Sequence, residues 1–207
     1  MTTIDESTRQ KLVDAAKVLF AQKGFDGTTV KDIADEAGVN VSLVSYHFDG
    51  KAGLYKVVME RFAGDRFAAA KRMLNPAGNL EEFRVRLEMY VAEIIGTHAD
   101  QPENVCIIQR EMERELSPIA EEIFRQTFLK TIECLLEFFR QAQKKGFIRK
   151  DIPPLNATMI LMGSVLHVGQ KDAISKKFFN VTIKDEGFRK EITKNIVDVF
   201  LSGMKAG

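Results

Sequence analysis

The residues of this chain best equipped for recognition chemistry lie between Thr29 and Lys51. Thr29, Asn40, Ser42 and Ser45 donate and accept hydrogen bonds over a short reach, Tyr46 and His47 each join a ring to a polar tip, and Lys31 and Lys51 bring positive charge. These groups suit a surface that grips phosphates through hydroxyls, amides and ammonium groups and reads base edges through short polar side chains. Val41 stands at the start of the same stretch. A helix face in free solvent usually carries Lys and Glu, whereas Ser42, Ser45, Tyr46 and His47 are short, aromatic or uncharged hydrogen-bonding residues.

Presenting such residues requires two short helices that cross closely. Ala34, Gly38 and Val44 fall at the spacing A-x3-G-x5-V, where a helix-turn-helix needs a small residue at the crossing, a turn glycine and an apolar anchor. Gly38 can take the positive φ that ends the first helix without a Cβ penalty. Thr29 is placed to cap that helix, with Asp32 three residues on as its acidic partner, and Asn40 to cap the second. Val30, Ile33, Ala34 and Ala37 give the first helix an inner face, and Val41, Val44 and Phe48 give one to the second. The spacing by itself also fits a helical hairpin that only packs on the rest of the chain.

The run T-T-V-K-D-I-A-x-x-A-G-V from Thr28, then V-S-x-x-S-Y-H-F from Val41 with a lysine three residues after Phe48, resembles the N-terminal domain of the TetR family of transcriptional regulators. The resemblance is specific from about Arg9 to Leu54 and architectural beyond. It implies that the second helix enters DNA, that the last two long helices form a dimer interface, and that the body binds a small molecule of its own. Family members usually carry acidic residues just after the lysine, where this chain has Ala52 and Gly53. A glycine there costs ~1 kcal/mol relative to alanine and softens the first turn of the next helix.

Charge sits awkwardly with DNA binding. The 207 residues carry a net charge of +1 with pI ≈ 7.7, and Met1 to Lys56 holds seven bases against eight acids. Phosphate contacts must therefore come from local placement of Lys31, Lys51 and Arg9 or Lys11, together with helix N-termini. At 45% hydrophobic and 29% charged residues the composition is that of a folded globular chain. Cys106 and Cys134 lie far apart with no CxxC, which points to neither a disulfide framework nor a zinc site. The N-terminus lacks the apolar run of a signal peptide, and the apolar stretch Ala157 to Val168 is too short to span a bilayer. A cytoplasmic protein without membrane contact is expected.

Apolar periodicity predicts helix throughout. Leu12, Ala16, Leu19 and Phe20 mark a first helix that Gly24 ends, and Leu54, Val58 and Phe62 mark one running from Lys51 to about Leu74. Asn75 to Asn79 breaks the pattern. Helices follow from about Phe83 to His98, from Glu103 to Glu115, and from Pro118 to about Lys145 behind an N-cap at Ser117. Pro153-Pro154 opens a nearly all-apolar helix that needs cover on most sides, a loop spans Ser175 to Glu186, and Phe188, Ile192, Ile196, Val199 and Phe200 form the last helix. The expected fold is all-α: a three-helix helix-turn-helix head over residues 1–50 and a helical body over 51–207. Leu155 to Val168 and Phe188 to Phe200 supply half of a four-helix dimerisation bundle, with an internal core as the alternative.

The three histidines, His47, His98 and His167, match no metal motif by spacing, and no nucleophile elbow, P-loop or dinucleotide fingerprint is present. No enzyme activity and no cofactor are expected. Met89, Met112, Phe124, Phe128, Met159 and Met162, with Tyr90, Gln109, Arg110 and His167 as polar anchors, form a candidate lining for an apolar or aromatic effector. The same stripe also reads as plain core, and His167 as a core histidine. The reading that results is a homodimeric repressor on a palindromic operator, released by such an effector; an activator without a ligand and a helical interaction protein are the alternatives.

Overall fold

The computed structural model describes residues 3–113 and 116–205. Its contacts separate two units, one formed by Met1–Asp65 with Pro102–Thr127, the other by Arg66–Gln101 with Phe128–Gly207. This division differs from a single cut at residue 50. Packing assigns Pro102–Thr127 to the first unit because Cys106 Sγ hydrogen-bonds Ala21 O, Arg110 donates to Gln22 O, and Tyr55 Oη donates to Glu111 Oε1 at 2.6 Å.

In the first unit α1 (Thr3–Lys23) buries Leu12, Val13, Ala16, Leu19 and Phe20, and Gly24 ends it at φ +75. Thr29 caps α2 (Val30–Ala37) in a complete capping box with Asp32. Gly38 closes α2 at φ 66, its N–H returning to Ala34 O and Asp35 O. The short helix α3 (Ser42–Phe48) is anchored by buried Val44 and Phe48, and Asp49 and Gly50, both at positive φ, turn the chain into α4 (Lys51–Met73). Leu54, Val58 and Phe62 are buried along α4 as their spacing predicts. Gly53 has a further role. A Cβ at that position would fall on the Phe48 carbonyl oxygen, so the glycine admits the end of α3 against the start of α4 rather than merely loosening a turn.

Two helices complete this unit, α6 (Pro102–Met112) and α7 (Pro118–Ile123), the second capped by Ser117 Oγ accepting from Ala120 N. The helix expected from Pro118 to Lys145 runs without a break to Lys144 but is not α-helical throughout. Phe124–Phe128 forms a π-helical turn before α8 (Leu129–Lys144), and its wider turn shifts the helix phase. Buried positions therefore move from Ala120 and Ile123 to Leu135, Phe138, Phe139 and Ala142, while Phe124 and Phe128 stay half-buried. Arg114 and Glu115, at the end expected for the α6 helix, lie outside the described residues.

The second unit packs α5 (Leu80–Asp100), α8, α9 (Pro154–Gln170) and α11 (Glu186–Met204) around Phe83, Leu87, Val91, Ile95, Leu135, Phe139, Leu161, Val165 and Val197. Phe83 stacks on Phe138 at 4.7 Å, and Phe139 meets Phe200 at 5.6 Å. Phe200 is thus 8% exposed and belongs to this core rather than to a subunit face; Val199 beside it is 76% exposed. The segment read as a loop contains a helix, α10 (Asp172–Phe179). Nor is α9 covered on most sides within the chain, since Leu155, Met159 and Ile160 are exposed. Among the described residues no helix is long and apolar enough to cross a membrane.

Candidate nucleic-acid interface

The outer face of α3 is set before any ligand arrives. Asn40 Oδ1 accepts from Ser42 N at 2.9 Å and from Ser42 Oγ at 2.8 Å, and Leu43 N bonds Asn40 O. Asn40 therefore caps the helix from two residues upstream and fixes the Ser42 hydroxyl. Ser42, Ser45 and Tyr46 recur at i, i+3, i+4, all exposed, with Tyr46 at 74%. Val41 is 48% exposed. It precedes the first turn of α3 and belongs to the outer surface instead of the inner face that periodicity assigned it.

Two residues expected to meet the DNA backbone are engaged elsewhere. The His47 side chain is only 3% exposed, with Nε2 3.5 Å from Asp5 Oδ1 on α1 and its ring 4.9 Å from that of Tyr46. It closes α3 onto α1 instead of facing outward, because i+3 from Val44 returns toward the core side of so short a helix. Lys51 turns inward too. Its Nζ donates to Phe25 O at 2.9 Å and Thr28 O at 3.0 Å and lies 4.2 Å from the centre of the Phe25 ring. The ammonium bonds carbonyls of the α1–α2 turn, where Phe25 O also accepts from Thr28 N at 3.3 Å.

Around α3 the remaining candidates are exposed but differently occupied. Thr29 N donates to Asp32 Oδ2 and its hydroxyl accepts from Asp32 N, both at 3.0 Å, so the polar groups of Thr29 are occupied by the capping box. The bond from Thr29 N, followed by that from its hydroxyl, holds the Asp32 carboxyl below its ordinary range. Lys31 and Lys11 are exposed, whereas the Arg9 guanidinium lies 5.1 Å from the Phe48 ring centre. Thr28, which sequence reasoning left aside, is fully buried and donates its hydroxyl to Gly24 O at 2.8 Å. Its place directly before a capping threonine is the one signal that could have found it.

Two short helices joined by a left-handed glycine, with a polar outer face on the second, form a helix-turn-helix. The family profile of bacterial regulatory proteins, tetR family, matches residues 12–58. The probable HTH-type transcriptional regulator YttP of Bacillus subtilis (strain 168) is 48% identical over 56 residues, 27% of each chain. The HTH-type transcriptional repressor KstR2 of Rhodococcus jostii (strain RHA1) is 30% identical over 152 residues, 70% of this chain and 69% of the relative. The chain belongs to the TetR family. It is accordingly a DNA-binding transcriptional regulator of all-α fold. A solved SmeT–triclosan complex shares that fold at TM-score 0.71 and 19% identity, over 96% of this chain and 91% of the other.

The candidate effector residues of this TetR-family regulator are divided between the two units. Gln109, Arg110, Met112 and Phe124 belong to the first unit and Met89, Tyr90, Phe128, Met159, Met162 and His167 to the second. Met89, Met112, Met159 and His167 are exposed, while Tyr90 is buried and Met162 packs partly against the core. Burial pushes the Tyr90 hydroxyl far above its ordinary range. The lining was expected from methionines and aromatics on helices that the architecture would bring together, and these helices belong to two units. What the second unit does carry is a cleft of about 450 Å³ between α4, α5 and α11, lined among others by Met73, Met89, Gly96, Arg66, Glu93 and Arg189. Only Met89 was legible as part of it.

Proposed function

We propose that this regulator is a homodimeric repressor, acting in the cytoplasm, that binds a near-palindromic operator through Asn40 to Tyr46 and releases it when a small apolar or aromatic effector binds the body. The observation that carries the DNA reading is the uncharged face of Ser42, Ser45 and Tyr46, exposed on a helix whose start is fixed by Asn40. Ser42 and Ser45 reach base edges, Val41 adds an apolar contact, and the Tyr46 ring packs on the sugar-phosphate chain with its hydroxyl on a phosphate. Lys31, at the start of α2, holds a neighbouring phosphate.

A twofold dimer sets two recognition helices about one DNA turn apart, ~34–36 Å, which is why the operator is near-palindromic. The exposed α9 face and Val199 of α11 support this assembly. Repression is supported by the name of KstR2, and a small-molecule effector by the complex of SmeT with triclosan. The effector acts only if it binds one conformation better than the other. Tyr46→Ala is expected to weaken operator binding by ~1–3 kcal/mol in fluorescence anisotropy, with an unchanged melting temperature. Full affinity in Tyr46→Ala combined with Ser42→Ala would falsify the assignment of α3. Thermal-shift screening of apolar and aromatic metabolites, with operator binding repeated for each hit, tests release; a set of hits that leave operator affinity unchanged retires release by an effector and leaves DNA binding intact.

A further inference from the structure

Helices α9 and α10 meet at a single residue. Lys171 N donates to His167 O and Ser175 N to Lys171 O, both at 3.0 Å, so Lys171, at ψ 11, ends one helix and begins the next. Large apolar side chains stand exposed on both sides of it. Leu155, Met159 and Ile160 lie on α9, and Ile174, Phe178 and Phe179 on α10, the two phenylalanines at 67% and 72%.

Helix α10 is clasped to the fold. Thr182 Oγ1 donates to Asp172 Oδ2 at 2.9 Å and Ile183 N to Asp172 Oδ1 at 2.8 Å, while the Ile183 side chain is buried. Asn180, at φ 55, ends the helix with its N–H on Ser175 O. The two phenylalanine rings are therefore held out on an anchored helix.

We infer that this edge of α10 is covered by a second copy of the chain, as a continuation of the α9 face. The inference rests on the homodimer reading and names a further part of its interface. Three observations favour a second copy. Exposed apolar side chains stand on both helices, Leu155, Met159 and Ile160 on α9 and Ile174, Phe178 and Phe179 on α10, with Lys171 as the one residue between the helices, a longer apolar surface than an eight-residue anchor offers. Gly163 and Ser164, both exposed in its middle, let another helix backbone approach closely, a feature with no use at a lipid surface. Each phenylalanine offers on the order of 100–170 Å² of apolar surface, so the pair supplies about a third of the ~800 Å² per partner that a stable interface buries. Lys171, Lys176 and Lys177 flank the rings, with Lys177 Nζ 5.2 Å from the centre of the Phe178 ring, and form the charged rim.

Sedimentation velocity on the full chain, over a concentration series, tests this with the unmodified protein and Phe178→Ser/Phe179→Ser. The double variant is expected to raise the dimer Kd about tenfold or more. Should it fold poorly, hydrogen exchange of the unmodified protein gives the same answer: amides of residues 172–179 exchange more slowly as concentration carries the chain from monomer to dimer. An unmodified dimer whose Kd the variant leaves unchanged, or whose α10 exchange is concentration-independent, overturns the inference and leaves the homodimer standing. An unmodified protein that stays monomeric overturns the homodimer reading, and this one with it. Pelleting with phosphatidylglycerol vesicles supplies the last arm: binding that the double variant loses while its dimer Kd is unchanged assigns the edge to a lipid surface instead.

Discussion

Lys51 and Gly53 occupy neighbouring positions at the start of α4, and each is set by backbone rather than by a ligand. The lysine bonds two carbonyls that end the α1–α2 turn. Lys51→Met keeps the stem and loses those bonds, and is expected to lower the stability of the head by ~1–3 kcal/mol, seen as a lower urea midpoint. A loss of operator affinity at unchanged stability would instead return the ammonium to the DNA. Alanine at Gly53 gains ~1 kcal/mol of helix propensity, but its Cβ meets the Phe48 carbonyl oxygen, which is backbone and cannot rotate away. Overpacking therefore wins, and Gly53→Ala is expected to destabilise the head by ~1–3 kcal/mol net, measured by thermal melting. Both residues were visible in the sequence, one as a match to the family and one as a departure from it. Their reasons were not, because each depends on a carbonyl supplied by an earlier element.

Between elements, the crossing of α5 and α9 shows the same dependence on close approach. His98 Nδ1–H donates to Ile94 O at 2.9 Å, and the ring lies where a Cβ on Gly169 would have to stand. Its Nε2 is buried without a hydrogen-bond partner among the described residues. Burial lowers the His98 pKa, more strongly than the Ile94 bond raises it. The neutral ring is thus the native form. Its contribution is complete above the unfolded value of ~6.5 and is lost as pH falls through the lower folded value, because the unfolded chain takes up the proton first. Stability in urea is expected to fall between pH 7 and pH 5, and to fall less in His98→Gln; equal slopes in the two proteins would remove His98 as the cause. Helix boundaries themselves were well marked by Thr29, Gly38, Ser117 and Gly146. The π turn at Phe124–Phe128 was not, since it carries no capping or breaking residue, and α10 was marked only at its end, by Asn180.

For the whole molecule, a net charge of +1 leaves little electrostatic attraction to DNA. Several bases of the head are already paired, Lys17 with Asp14, Lys23 with Asp32 and Lys51 with carbonyls. With Lys31 the cation among the proposed phosphate contacts of each subunit, about two phosphates neutralised per dimer correspond to a slope of log K against log salt of roughly −2. A slope near −10 in anisotropy titrations between 50 and 200 mM salt, roughly the range where such effects are read, would mean that cations outside the proposed set carry the binding. Under the proposed function, specificity rests on the uncharged face of α3, and affinity on having two copies of it.

By itself the sequence determined the helices of the head, their caps and their family, because these follow from short-range spacing: Thr29 to Asp32, Ala34 to Gly38, and Ser42 to Tyr46 lie within a turn or two of one another. It also determined the all-α class, since apolar periodicity is local. Tertiary structure decided which lysine and which histidine remain available, because Lys51 and His47 are claimed by Phe25, Thr28 and Asp5, more than twenty residues away. It likewise decided that Phe200 is core and Val199 surface, and that the effector candidates are divided between two units. A helical period places side chains on a face, but what lies opposite that face is set by other helices, and their arrangement is not written in the spacing.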